Sequence, residues 1–141
     1  MFQTTKGRGI KMKQFNAKPI FVGHLNQNVN CYDKLFDLKI GFTNYELYVS
    51  DWVEIEDKKD YRGKVEFQEC KITILRGMNE QRTKEVIVHE IVHALINESS
   101  TENLLEDKEE EFVERFSKVL NQFLIDNTNF HERMMVEQNE N

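Results

Sequence analysis

At 141 residues the chain fits one domain of ordinary size, with a core that needs no disulfide or metal staple to form. Lys and Arg total 19 against 25 Asp and Glu, and the resulting charge of -6 argues against direct nucleic-acid binding, which usually shows a basic surplus or patch. No stretch is long and apolar enough to span a bilayer, and Cys31 and Cys70 form neither a CxxC pair nor a disulfide framework, so no membrane association and a cytoplasmic setting with reduced thiols are expected.

The basic opening "MFQTTKGRGIKMK" has no apolar run behind it and reads as part of a flexible tail, residues 1–15, rather than a secretory signal. A single domain is expected over 16–130, followed by a polar tail over 131–141. Within the domain the first half is strand-like. "PIFVGHL" (19–25), "KLFDLKIGF" (34–42) and "YELYVSDWVEI" (45–55) are rich in aromatic and β-branched residues, and "KVEF" (64–67) and "KITIL" (71–75) alternate more clearly. Polar runs such as "NQNVN" and "EDKKDYRG" separate them, with Gly63 as punctuation.

From residue 78 the pattern turns helical. Asn79 is a candidate N-cap, and Val86, Ile87, Ile91, Ala94 and Leu95 recur at helical spacing up to about Asn97. A second helix is expected over 103–126. Phe112, Val113, Phe116, Val119, Leu120, Phe123 and Leu124 form its apolar stripe, and its acidic first turns complement the helix dipole. Strands followed by two helices predict an α+β fold, a small and mainly antiparallel sheet packed against C-terminal helices.

The chemistry concentrates in "EVIVHEIVHALIN", residues 85–97. His89 and His93 stand at i and i+4, so both imidazoles can aim at one point, as in HExxH zinc sites. Glu90 is rotated about 100° from His89, which suits it to reach a water on the metal and take its proton as general base rather than to ligate the ion. The bland alternative is a metal-free core helix whose histidines bond to backbone or water. Two imidazoles and a carboxylate in an otherwise uncharged run from Val86 to Asn97 favour Zn2+.

A catalytic zinc takes three protein ligands and keeps one open position. His24 and His131 lie in a strand-like segment and in the C-terminal tail, and each reads more simply as a surface histidine. The acidic run "EDKEEEF" is the better source. By periodicity Glu109 projects nearest the middle of the apolar stripe and Glu110 sits on its flank, while Glu111 and Glu114 point away, so spacing permits Glu109 or Glu110. Asp107 and Glu110 also have capping-box spacing.

"VIVHEIVHAL" followed by a Glu-initiated amphipathic helix resembles the gluzincins, and more closely the ImmA/IrrE-like metallopeptidases of phages and mobile elements. The family's second motif, E-x-x-A-[ND]-x-F-A, is similar to "EEFVERFS" (110–117), with Val113 and Glu114 as departures. That resemblance implies Glu110 as the third ligand and Glu114 as a carboxylate orienting a ligand histidine. "ALINESS" after His93 departs from the metzincin continuation. The match covers about residues 63–126 and implies a minimal zincin-like core. A zinc metallopeptidase is then expected, with a protein or peptide substrate such as a separately supplied transcriptional repressor. The strand over 71–75 is expected at the sheet edge, where substrate would pair, and Tyr45, Tyr48, Tyr61 and His24 are the candidates for oxyanion stabilisation. The alternative is a non-catalytic metal-binding interaction or inhibitor protein on a peptidase-like scaffold.

Overall fold

The computed structural model describes residues 29–140. The strand expected over 19–25, His24 and the N-terminal tail lie outside the described residues. Six strands come first, β1 Tyr32–Ile40, β2 Thr43–Ser50, β3 Val53–Ile55, β4 Lys58–Tyr61, β5 Gly63–Glu66 and β6 Lys71–Leu75. Helix α1 Glu80–Glu98 follows, then α2 Glu102–Leu105, a 3-10 turn Glu106–Lys108, α3 Glu109–Asp126 and α4 Phe130–Glu140. The fold is α+β, a mainly antiparallel sheet in the N-terminal half packed against C-terminal helices.

The main sheet has the order β1-β2-β6-β5. β1 and β2 form a hairpin whose register closes at Ile40 opposite Thr43. Gly41 takes the first of its two loop positions with φ 63, a conformation that glycine adopts without a Cβ penalty. β6 runs parallel to β2 and antiparallel to β5. It is therefore a central strand, which corrects its expected place at the edge. Ile72, Thr73 and Ile74 are all buried, as a strand covered on both faces requires, whereas β5 is half-buried and carries Lys64 and Glu66. Among the described residues β5 is the free edge beside β6. The run expected as one strand over 45–55 splits, because β3 leaves the main sheet to pair with β4.

Helix α1 lies between the sheet and α3. Ile87 and Ala94 pack with Tyr45, Leu47, Val49, Ile72 and Ile74, while Val88, Val92 and Ile96 turn to the other side and pack on Val113. Burying two faces explains why this helix reads as apolar almost all round. Its start is set by Asn79, whose Oδ1 accepts the Arg82 N–H at 2.7 Å.

Polar clamps hold both ends of α1. Three residues before Asn79, the buried Arg76 side chain donates to Asp51 at 3.0 Å, Asp33 at 2.7 Å and the Cys31 carbonyl at 3.1 Å, tying the ends of β1, β2 and β6 together. At the other end Glu98 accepts from Thr43 Oγ1 at 2.6 Å and Tyr45 Oη at 2.7 Å. Burial, reinforced by the Glu98 carboxylate, pushes the Tyr45 hydroxyl up to about 12.

The second helix is not continuous over 103–126. It breaks at Glu106, which holds φ 51 and ψ -122, and restarts at Glu109. No side-chain cap forms at that restart, so the capping-box role of Asp107 with Glu110 is not realised. The segment expected as a C-terminal tail is helical in α4, where His131 is exposed.

Candidate metal centre

Three side chains converge where α1 meets the first turn of α3. Glu110 Oε1 lies 3.1 Å from His89 Nε2, and its Oε2 lies 3.0 Å from His93 Nε2. One donor atom from each of the three falls within 4.8 Å of the others. The histidines occupy the seam between the two buried faces of α1. Their backbone is fixed by the core while their rings look out into a cleft. Val113, fully buried against α1, sits one turn after Glu110 and holds that part of α3 in place.

The neighbouring carboxylates take different positions around the histidines. Glu109 does not join the cluster; its Oε2 meets His93 Nδ1 at 2.8 Å, behind the ring. Glu114 Oε2 stands 3.9 Å from His89 Nδ1, the outer position expected for it, though beyond hydrogen-bond length. In the tautomer that donates Nδ1–H to Glu109, Nε2 of His93 carries a lone pair. The Glu110 carboxylate offers only lone pairs as well. Two acceptors 3.0 Å apart need a positive centre between them, which a proton on the ring or a metal ion can supply. The donor set suits zinc: nitrogen and oxygen ligands on a tetrahedral ion stand about 3.3 Å apart, close to the two distances between the imidazoles and Glu110.

Glu90 is 7% exposed and points toward the sheet side of the cleft. Burial pushes its carboxyl up to about 7, with His93 acting against the shift and Glu110 adding to it. Space for this side chain comes from Gly63, at the start of β5. A Cβ at that position would lie 3.0 Å from Glu90 Oε1, 3.1 Å from its Cγ and 2.8 Å from Val86 Cγ1. The sequence marks Gly63 only as punctuation, because a strand–helix contact across 27 positions leaves no periodic signal.

The cleft encloses about 760 Å³ between β5 and the two helices. Val65 and Phe67 contribute apolar wall, and Tyr61 and Arg62 approach from the strand side. Of the described oxyanion candidates, Tyr61 lines the cleft. Tyr45 is buried and engaged with Glu98, and Tyr48 bonds to Glu46 at 3.1 Å. His131 joins no group of three potential metal donors among the described residues. Cys31 and Cys70 are free thiols. No helix among the described residues is long and apolar enough to cross a membrane.

No protein-family model, curated protein or solved structure matches the chain.

Proposed function

We propose that the protein is a zinc-dependent metallopeptidase. His89, His93 and Glu110 would hold the ion, with Glu109 orienting His93 from behind, as carboxylates behind ligand histidines do. One observation carries the reading: two imidazole nitrogens converge on one carboxylate beside a buried glutamate, at the wall of an open cleft. A bound zinc ion would supply Lewis-acid polarisation of the scissile carbonyl and a water acidified toward neutral pH.

Glu90 supplies the base. Burial raises the proton affinity of its carboxyl in the metal-free site, and a carboxylate so placed would accept a proton from the attacking water and return it to the leaving amine. Gly63 sets where that carboxylate sits. The edge of β5 that is free among the described residues offers backbone groups to an extended peptide, so the substrate strand is assigned to β5 rather than β6. Tyr61, on the cleft wall, is the described candidate for stabilising the oxyanion. The resemblance of "EEFVERFS" and "VIVHEIVHAL" to ImmA/IrrE-like sequences points to a repressor-like regulator as the protein substrate. A purely structural zinc has no use for a base, so buried Glu90 argues against a non-catalytic scaffold.

The test is cleavage of a proteome-derived peptide library, read by mass spectrometry, with wild type and Glu90→Gln both loaded with zinc. New termini from the wild type that vanish in the variant are expected. Equal cleavage by both removes Glu90 as the base, and no termini from zinc-loaded wild type contradicts the peptidase reading.

A further inference from the structure

Only part of the apolar stripe of α3, Val113 and Leu120, faces the core. The helix packs on Val88, Val92 and Ile96 of α1 through Val113 and the half-buried Leu120, with Ser117 and Asn121 buried beside them. Phe112, Phe116, Val119 and Phe123 lie on a face rotated by roughly 115° from them at 100° per residue. These four are 37%, 46%, 71% and 44% exposed. Phe112 and Phe116 stack with centroids 5.1 Å apart, and Phe123 meets Phe130 of α4 edge-on at 5.7 Å, so the surface is one continuous strip. Placing a helix's phenylalanines outward and its serine and asparagine inward has no explanation within the described monomer.

We propose that this strip is the seam of a homodimer in which α3 packs antiparallel against α3 of a second copy. Three features point to a copy of this chain. The spacing 112, 116, 119, 123 steps by four, three and four, as in a two-helix seam. About a two-fold axis between positions 117 and 118, Phe112 meets the partner's Phe123 and Phe116 meets the partner's Val119, so the strip is complementary to itself. Charge selects the direction. Lys108 and Asp126 lie on the same flank at opposite ends of the strip, so antiparallel pairing sets each Lys108 against the partner's Asp126, whereas a parallel two-fold would carry the copy's Lys108 and Asp126 to the other side of the seam and leave both without that partner.

The area agrees. With a free phenylalanine exposing roughly 200 Å², the strip including Phe130 presents roughly 450 Å². A standard interface covers about 800 Å² per partner and is a little over half apolar, which is also roughly 450 Å². The inference does not depend on a metal.

Sedimentation equilibrium of the full chain, from about 1 to 200 µM and with and without EDTA, tests it. The expected mass is twice that of the 16.8 kDa chain. Phe116→Asp should weaken association roughly 100-fold by placing a charge in the seam. Val119→Lys should do the same at a position too exposed to matter for folding. Lys108→Asp and Asp126→Lys should each weaken the dimer, and the two together should restore it. A wild-type monomer throughout the range overturns the proposal. If hydrogen exchange finds the outward face of α3 protected in that monomer, residues 1–28 of the same chain are its occupant instead. A dimer unmoved by both Phe116→Asp and Val119→Lys also overturns it.

Discussion

Replacing Glu90 by glutamine should make the metal-free protein more stable at alkaline pH. The carboxyl rises from an ordinary 4.5 to about 7 because burial strips water from its charged form. Between those values the folded protein holds more protons than the unfolded chain. Stability is therefore fully present below about pH 4.5, falls as pH rises toward 7, and is flat above it. The shift corresponds to about 3 kcal/mol that ionised Glu90 costs the fold at pH 8. Glutamine keeps the shape and never ionises. Urea melts in EDTA should show Glu90→Gln ahead of wild type by about 3 kcal/mol at pH 8, roughly 10 °C in melting temperature, but by about 1 kcal/mol or less at pH 5. Identical pH profiles for the two proteins would refute a buried, proton-hungry carboxylate. A stability gain matched by lost cleavage is the trade expected of a side chain kept for chemistry.

Three further outcomes follow from the site's supports. Gly63→Ala should lose about 1–3 kcal/mol, since its methyl would press on Val86 and Glu90, and cleavage should fall roughly 100-fold from a displaced base while zinc affinity holds; unchanged turnover would remove Gly63 from the account. Glu109→Ala should weaken zinc binding roughly 10- to 100-fold in a chelator competition, and Glu110→Ala should weaken it further. A larger loss for Glu109→Ala would exchange their roles. Glu106→Gly should raise stability by about 1 kcal/mol in denaturant melts, because φ 51 with ψ -122 suits glycine and strains glutamate; a destabilised variant would show that the glutamate side chain matters more than that strain.

The parts of the fold that could be read in the sequence are those coded by local spacing. Asn79, the periodic run to about Asn97, and the pairing of His89 with His93 on one face each depend on neighbours within a turn or two. The α+β layout follows from a change of period near residue 78. The convergence of Glu110 on the histidines came from a motif resemblance, because periodicity admitted Glu109 equally. In the structure both glutamates reach His93, one from the cleft and one from behind. Strand order was not legible. "KITIL" and "KVEF" alternate alike, and only the burial of Thr73 between two other strands distinguishes the centre from the edge. Periodicity likewise showed that α3 has an apolar stripe but not which way it faces. The helix's rotation is set by Val113 against α1 and by the histidines that Glu109 and Glu110 approach. The Arg76 clamp joins residues more than 20 positions apart and has no sequence signature at all.

The most direct measurement is zinc bound per chain after equilibrium dialysis, read by mass spectrometry on wild type, His93→Ala and Glu110→Ala. One zinc per wild-type chain is predicted, with binding lost or severely weakened in both variants and X-ray absorption reporting only nitrogen and oxygen ligands at about 2.0–2.1 Å. A wild type that binds no zinc, or variants that keep it at full affinity, would contradict the assignment of His89, His93 and Glu110 as a metal centre.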